Sequence, residues 1–285
     1  MTGAPRVVAC LSAWNAAAFI RPVLDSLAAQ TYPNLEVLIS VDVCEDGTAD
    51  ICETFAAAHP NARVIRQPAR LGWVGNSNAL LRAVTDEPGI DYLFFAFHDD
   101  PLRPDYAAKL VAALERNPAA VLAFSDVDSN IGPFSYRELD GVSDRFERAR
   151  QILLQRGPWW VPNRGLLRAS TVATLGGMRR HWAGEFSADW PWLLRLALAG
   201  EFVRVPEVLL SKNFRPAGLS STWRKGMWNR IAVQLECLRV VQAAGFPPAQ
   251  ALRLLGERCL LGLKEERWRL QVRRRAGACD PYALR

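Results

Sequence analysis

Carboxylates that follow predicted strands are the side chains of this sequence best suited to chemistry. Asp42 comes directly after an apolar run at 35–41, and Asp99 and Asp100 come after another at 91–97. Carboxylate oxygens are hard ligands for Mg²⁺ or Mn²⁺, and at a strand end they can accept a hydrogen bond from a base N–H group. Asp42 is best placed for a base contact, whereas a helix N-cap or Asx-turn role is favoured for Asp46 and Asp50.

These carboxylates lie in a repeated order of strand, polar loop and helix. Short apolar runs predict strands at 7–11, 35–41, 62–65, 91–97 and 120–124, and helical periodicity predicts helices at 19–29, 48–58, 73–84 and 104–116. Pro104 stands at the first position of the last of these helices, which proline favours. The alternation predicts an α/β fold with a Rossmann-like, mainly parallel sheet flanked by helices, whose ligands bind beyond the carboxyl ends of the strands.

The remainder of the chain has a different pattern. Residues 126–158 are polar without clear periodicity and are expected to form a loop-rich excursion over the sheet. From 223 onward, two long helices are predicted, separated by Gly245 and the Pro247-Pro248 pair. Their apolar stripes are Trp223, Met227, Ile231, Leu235 and Leu238 in the first, and Leu252, Leu255, Cys259 and Leu263 in the second.

The second C-terminal helix ends in a basic segment. Arginines at 267, 269 and 273–275 surround Trp268. A solvated helix end is the favoured interpretation, and a peripheral membrane contact or a partner patch is the alternative.

Composition limits the classes of protein. The 285 residues are 50% hydrophobic, enough for a sizeable core, and carry a net charge of +6 that is almost entirely arginine, with four lysines. Anionic partners such as phosphate esters fit this charge, but no nucleic-acid motif is present and no nucleic-acid partner is expected. The six cysteines lack a disulfide or metal spacing, and neither a signal peptide nor a spanning apolar run is evident. A cytoplasmic protein is expected, with membrane association at the cytoplasmic face and the oligomeric state left open.

Four segments within about residues 6–221 resemble the family-2 glycosyltransferases of the GT-A fold. They are the stretch after the first strand with the turn at 30–34 (QTYPN), the acidic loop at 42–50 with the glycine-rich 70–79, the turn Phe97-His98-Asp99-Asp100, and the blocks at 163–168, 175–178 and 187–196. The resemblance implies a nucleotide-sugar site. Its implied nucleotide-binding residues are Ser12, Trp14, Asn15, Asp42, Arg70, Gly72, Asn76, Asn78, His98 and Asp99.

The same resemblance implies a divalent metal, Mn²⁺ or Mg²⁺, at Asp99 with Asp100 second, because this turn stands at the place of the family's DxD motif. Phe97 occupies a position where the family usually has an acid. For His98 a metal ligand, a phosphate or ribose donor and a turn residue all remain open. Gly72 would permit close backbone approach, and helix N-terminal amides with Arg70 would meet phosphate or ribose oxygens, with a purely structural turn as the alternative.

Asp189 matches the second acid of the family's ED pair, which acts as the catalytic base, while Ala188 replaces the first acid. The alternative for Asp189 is a helix N-terminal acid favoured by the macrodipole. Acceptor or diphosphate contacts are assigned to a set of aromatic and basic residues, for which core packing or surface charge is the alternative: Trp160, Arg164, Trp190, Lys212 and Arg215.

The resemblance therefore implies an inverting glycosyltransferase that moves a sugar from a nucleoside-diphosphate sugar to an acceptor hydroxyl, in polysaccharide biosynthesis or a related pathway. The acceptor would be a glycan, a lipid-linked molecule or a small molecule. The alternatives are a catalytically silent nucleotide-sugar-binding protein of the same fold, motivated by Phe97 and Ala188, and a sugar-phosphate nucleotidyltransferase. The predicted organisation is a GT-A domain at 1–221, with a nucleotide-sugar half at 1–125 and an acceptor half at 126–221, and a C-terminal α-helical extension at 222–285.

Overall fold

The computed structural model describes residues 3–215 and 227–276, with the backbone alone for 227 and 265–276. Its strands form one sheet in the order β3-β2-β1-β4-β6-β5-β7. Neighbouring strands are parallel except around β6, which runs antiparallel to both β4 and β5. The predicted mainly parallel sheet is confirmed. The strands are β1 (Val7–Ala13), β2 (Leu35–Val41), β3 (Ala62–Arg66), β4 (Tyr92–Phe97), β5 (Ala120–Ser129), β6 (Leu166–Arg168) and β7 (Glu201–Lys212).

Helices cover the sheet, and two short 3-10 helices lie at Arg137–Leu139 and Pro162–Arg164. The α-helices are α1 (Arg21–Ala28), α2 (Thr48–Ala58), α3 (Gly72–Thr85), α4 (Tyr106–Arg116), α5 (Arg145–Leu153), α6 (Ala169–Leu175), α7 (Asp189–Ala199), α8 (Met227–Ala243) and α9 (Pro248–Ala276). The central strand β1 has no solvent exposure from Val7 to Leu11. Such a strand reads as an unbroken apolar run because both of its faces are covered.

Two sequence-based expectations need correction. The helix predicted from Pro104 begins at Tyr106, because the Pro104 carbonyl accepts a hydrogen bond from Thr31 N and stays in a turn. The excursion predicted as loop-rich contains helix α5 as well as an extension of β5. Arg148 lies on the buried face of α5 and donates to the carbonyls of Val142, Ser143 and Ala197, so a charged residue conceals the helical periodicity.

The predicted pair of C-terminal helices is confirmed as α8 and α9, although residue 223, where the first was expected to begin, lies outside the described residues. Helix α8 packs on α7, and α9 contacts α5 through an ion pair of 2.6 Å between Arg150 Nε and Glu257 Oε2. In the described part of the chain, no helix combines the length and the apolar character needed to cross a membrane.

Candidate active site

The turn after β4 carries the acidic pair. The Asp100 amide donates to the Phe97 carbonyl at 3.1 Å, which closes the turn. The Asp100 carboxylate is 2% exposed and accepts from Arg164 Nε at 2.7 Å and from Lys212 Nζ at 3.1 Å. Since a buried carboxylate needs partners of opposite charge, Asp100 holds these two cations in place. Asp100 therefore lies in the interior of the protein, and its expected role as a second metal ligand stays a prediction.

Asp99 is the more accessible of the pair. Its Oδ2 lies 3.1 Å from Arg215 Nη2 and 3.4 Å from Lys212 Nζ. Burial alone would raise the pKa of Asp99, but the Lys212 charge and the Arg215 hydrogen bond outweigh burial and place the pKa below its ordinary value. Asp99 therefore stays ionised beside two cations from the end of β7.

Arg164 is fixed on several sides. Its guanidinium carbon lies 4.4 Å from the centre of the Phe97 ring and 4.9 Å from that of Trp160, and its Nη1 donates to the Trp160 carbonyl at 3.2 Å. Phe97, which replaces the family's usual acid, thus supports the guanidinium by a cation–π contact. Trp160 is only partly buried and also packs against Phe134 at 5.0 Å.

Asp189 begins helix α7, as expected of a helix-starting acid. Its Oδ2 accepts a hydrogen bond of 3.0 Å from Asn163 Nδ2. Loss of solvent around the carboxylate raises the pKa of Asp189 to about 6, against the opposing effects of backbone N–H groups and the Arg164 charge. A carboxylate whose pKa is raised toward neutrality is suited to exchange a proton with substrate.

The 3-10 helix Pro162–Arg164 joins these two carboxylate sites. Arg164 binds Asp100, and the adjacent Asn163 binds Asp189, so two consecutive residues link the acidic turn to the candidate base. Both side chains are buried, and the Asn163 Oδ1 atom is buried without a hydrogen-bond partner among the described residues. A buried acceptor of this kind has room for a donor beyond those that the described residues supply.

The nucleotide-binding candidates occupy a second group of residues beside the first. Asp42 is 3% exposed and accepts backbone hydrogen bonds from Leu71 N at 2.8 Å and Gly72 N at 2.9 Å. Glu185 accepts from the next amide, Trp73 N, at 3.2 Å. The first amides of α3, which were expected to meet phosphate or ribose, are therefore occupied by two carboxylates of the protein.

Gly72 makes this arrangement feasible. Its φ of 71° lies in the left-handed region, and a Cβ atom there would approach Glu185 Oε1 to 2.8 Å. Arg70 lies just before this turn and stacks on Trp14, with 3.9 Å from its guanidinium carbon to the ring centre. The Arg70–Trp14 pair forms a partly exposed surface just beyond the carboxyl end of β1.

Asn76 and Asn78 act inside the protein. Asn76 is 1% exposed, donates to Ser12 Oγ at 2.9 Å and to the Ser40 carbonyl at 3.0 Å, and so ties α3 to β1 and β2. Asn78 makes a reciprocal pair of 2.8 Å hydrogen bonds with the backbone of Met178. Both side-chain amides hold together the elements around the candidate site, and their oxygen and nitrogen atoms are hydrogen-bonded within the protein.

Asn15 and Asp46 shape the loops beside β1. Asn15 adopts a φ of 43° and accepts from Glu45 N at 3.0 Å. Asp46 accepts from Thr48 N and from Ala17 N, both at 3.0 Å, which is the Asx-turn role favoured for it from the sequence.

His98 faces this same end of β1. Its Nδ1 lies 3.2 Å from the Ser12 carbonyl, which can only accept, so Nδ1 carries the proton and Nε2 is left for a second partner. Its ring packs on Phe19 at 5.3 Å, and Arg215 lies on Phe19 at 3.3 Å. Phe19 therefore links the histidine to the cationic group.

For Trp190 the structure agrees with the core-packing alternative to an acceptor contact. Trp190 is 3% exposed and donates its indole N–H to the Ile152 carbonyl at 2.9 Å, so it is a core residue. The structure also adds Asn163, Glu185 and Phe19, which were not assigned to the site from the sequence. Glu185 stands four residues before Asp189 in an irregular segment, and no spacing rule would have singled it out.

The acidic turn offers few protein ligands for a metal ion. Among the described residues, no group of three or more His, Cys, Asp or Glu side chains could enclose an ion. Asp99 alone offers an accessible carboxylate at this turn. This fits a Mg²⁺ or Mn²⁺ that is held by one or two carboxylates together with substrate phosphates, and it does not fit an ion enclosed by protein ligands.

Sequence comparisons identify relatives. Residues 9–169 match the profile described as Glycosyl transferase family 2. Curated relatives include the putative glycosyltransferase EpsH of Bacillus subtilis strain 168, 32% identical over 108 residues, which are 38% of this chain and 30% of EpsH. An uncharacterized glycosyltransferase of Haemophilus influenzae is 27% identical over 117 residues, or 41% of this chain and 35% of the relative. The chain thus spans about a third of the length of these relatives.

Solved structures share the fold. S. aureus TarS 1–349, solved in complex with UDP-GlcNAc, has a TM-score of 0.72 and 15% identity, covering 91% of this chain and 73% of that one. The mannosyltransferase PcManGT from Pyrobaculum calidifontis, in complex with GDP-Man and Mn²⁺, has a TM-score of 0.60 and 18% identity, covering 99% and 78%. The architecture is that of the GT-A glycosyltransferases. Because the family profile matches more than half of its residues, the chain belongs to glycosyl transferase family 2.

Proposed function

We propose that this protein is an inverting glycosyltransferase that moves a sugar from a nucleoside-diphosphate sugar to an acceptor hydroxyl. The observation that carries the proposal is the link through the 3-10 helix at 162–164. It joins Asp189, a carboxylate with a raised pKa, to the acidic turn and its cations through Asn163 and Arg164. The reaction needs a base on one side of the anomeric carbon and positive charge on the other, and this link positions candidates for both.

Asp189 is the proposed base. It takes the proton of the acceptor hydroxyl while the hydroxyl oxygen attacks the anomeric carbon, and the bond from that carbon to the diphosphate oxygen breaks on the opposite face. A pKa of about 6 keeps Asp189 ionised at neutral pH while leaving it a stronger proton acceptor than an ordinary aspartate.

Lys212 and Arg215 are proposed to receive the leaving diphosphate. In the structure both cations lie against Asp99. A donor diphosphate placed at this turn would share them, so that charge developing on the departing oxygen meets fixed positive groups. Asp99 would hold a Mg²⁺ or Mn²⁺ jointly with the donor phosphates, and the bound ion would supply Lewis-acid stabilisation of the diphosphate.

The second group of residues, around Arg70 and Trp14, supports a nucleotide as part of the donor. Arg70 stacked on Trp14 offers a flat cationic surface next to the acidic turn, and we propose that it contacts the nucleotide. Asp42 and Gly72 order the turn that carries Arg70. TarS and PcManGT, which share the fold, are solved with UDP-GlcNAc and GDP-Man respectively.

Thermal stability against a panel of nucleotides tests the donor site. Wild type, Asp99→Ala and the control Asp25→Ala, an exposed aspartate on α1, are each melted with UDP, GDP, dTDP or CDP and Mn²⁺, Mg²⁺ or EDTA. A metal-dependent rise in melting temperature for one nucleotide, lost only in Asp99→Ala, is expected. If no nucleotide shifts the melting temperature of wild type, the donor site is refuted.

Turnover separates the enzyme from a silent binding protein. With the nucleotide that binds, hydrolysis or transfer from its sugar derivative is measured for wild type and Asp189→Asn. The enzyme predicts that Asp189→Asn retains the nucleotide-induced shift and loses turnover. Binding without turnover in wild type would support the catalytically silent alternative instead.

A further inference from the structure

A cationic cavity lies between α7 and α8 and extends along α7 from Pro191 to Ala199. Its volume is about 340 Å³, within the range of small-molecule sites. Four arginines and a single glutamate contribute the charged part of the lining, and Trp192 lies on its apolar side. The charged residues are Arg145, Arg179, Arg195, Arg239 and Glu236.

Three of these arginines lack a carboxylate partner among the described residues. Arg195 donates to the carbonyls of Leu175, at 2.7 Å, and Gly177, and Arg145 donates to the Leu198 carbonyl at 3.2 Å. Arg179 has no ion pair in the described part of the chain, and Arg239 is the cation that pairs with Glu236. Several other arginines of the protein are paired with acids, among them Arg6, Arg66, Arg150, Arg164 and Arg204, whereas Arg148 and Arg168 bond mainly to carbonyls as Arg195 does.

The electrostatics of Arg195 agree with an uncompensated charge. Loss of solvent and, to a smaller extent, the positive charge of Arg179 lower the pKa of Arg195 to about 10. Two guanidinium groups that repel each other at the edge of a cavity favour an anion between them. The bonds of Arg195 to two carbonyls at the end of α6 account for its position, but they do not account for Arg179 and Arg145.

From this cavity we infer a binding site for a phosphate monoester, separate from the proposed donor site. A monoester carries about 1.5 to 2 negative charges at neutral pH and offers three acceptor oxygens, which match more than one guanidinium. The apolar part of the lining, which includes the partly buried Leu198 and Val240, suits a phosphate that is joined to a hydrophobic group. The site does not depend on the proposed transfer reaction.

Two probes distinguish a soluble ester from a lipid headgroup. Glycerol 3-phosphate is titrated calorimetrically into the full chain, and sedimentation with phosphatidylcholine vesicles is measured with and without phosphatidic acid. The variants are Arg179→Gln, whose exposed side chain has no described partner, and Arg195→Lys, which keeps the charge without the planar fork. The control is Arg21→Gln, an exposed arginine on α1.

Arg179→Gln is expected to weaken binding about tenfold or more, because one charge-assisted hydrogen bond is lost. Arg195→Lys is expected to weaken it as well, whereas Arg21→Gln should leave it unchanged. Lys212→Gln separates this site from the donor site, because it alters only the latter. Binding of glycerol 3-phosphate with this pattern supports a soluble ligand, and the same pattern seen only with phosphatidic acid vesicles supports a lipid.

Three results would overturn the inference. In the first, wild type binds neither probe. In the second, binding is lost in Lys212→Gln and is unaffected in Arg179→Gln, which places the phosphate in the donor site. In the third, Arg21→Gln weakens binding as much as Arg179→Gln, which means that net charge alone attracts the anion.

Discussion

Replacing Asn163 by alanine tests whether its amide controls the proton affinity of Asp189. The Asn163 Nδ2 group donates to Asp189 Oδ2 at 3.0 Å and stabilises the ionised carboxylate. Hydrogen bonds to charged groups contribute about 1.5 to 3 kcal/mol, and the lower figure applies here because Asp189 is partly exposed. Since about 1.4 kcal/mol corresponds to a tenfold change in an equilibrium constant, Asn163→Ala should raise the pKa of Asp189 from about 6 to about 7.

The consequence is a change in the pH profile. The base must be ionised, so the acidic limb of kcat/KM should move upward with the pKa of Asp189. At pH 6.5 the ionised fraction would fall from about three quarters to about one quarter, which is a threefold loss, whereas at pH 8.5 nearly all of the carboxylate stays ionised in both proteins. The assay is kcat/KM for sugar transfer between pH 5 and 9.

The control for this variant is Asn117→Ala, which also removes one side-chain hydrogen bond, to the Ala113 carbonyl, far from the site. Its acidic limb should coincide with that of wild type. If Asn163→Ala lowers kcat/KM by the same factor at every pH, the amide orients the site and does not tune the base. An unchanged profile would refute the proposed contact altogether.

Asp189→Asn should make the protein more stable at pH 7.5 by about 1 to 3 kcal/mol, with no difference from wild type near pH 4, as measured by chemical denaturation. In the folded protein the pKa of Asp189 is about 6, which is above its value in the unfolded chain. The protonated carboxyl favours the folded state, and this contribution to stability is lost as pH rises through about 6. Gly72→Ala should cost about 1 to 2 kcal/mol of unfolding free energy from its positive φ, and more than Gly89→Ala, because only Gly72 also lies against Glu185. Arg164→Met should lower the unfolding free energy by about 3 to 5 kcal/mol, since its buried carboxylate partner loses its main counter-charge.

The first half of the fold was predictable because its strands are buried on both faces. Runs such as 7–11 and 35–41 therefore appear as uninterrupted apolar residues, and the polar loops mark the carboxyl ends of the strands. Helix α5 was missed because Arg148 and Gln151 occupy its buried side. Strand β6 is only three residues long and carries no periodic signal of its own.

The candidate site was predictable in its residue types more than in their contacts. The resemblance selected Asp99, Asp100, Arg164, Lys212 and Arg215, and the structure brings these five side chains together. Their functional roles remain predictions.

The sequence could not reveal which hydrogen-bond donor each carboxylate accepts from. Glu185 accepts a hydrogen bond from the Trp73 amide, which lies 112 positions earlier in the chain. The Asp42 carboxylate accepts from the backbone amides of Leu71 and Gly72 at the start of α3. Such pairings depend on the folded backbone, because no local spacing encodes them.

The position of β6 between β4 and β5 has a consequence for how the protein folds as it is synthesised. Strands β3, β2, β1 and β4 pair with one another and can do so once residue 97 has emerged. Strand β5 emerges next but has no neighbour there, because its partners are β6, at Leu166–Arg168, and β7, which ends at Lys212. Apart from a bridge between Val127 and Phe134, its edges stay unpaired until at least 37 further residues have been made, from Ser129 to Leu166. Non-local pairing of this kind is slow and leaves an apolar strand unprotected, so this interval is the stage of synthesis at which the nascent chain is most prone to aggregate.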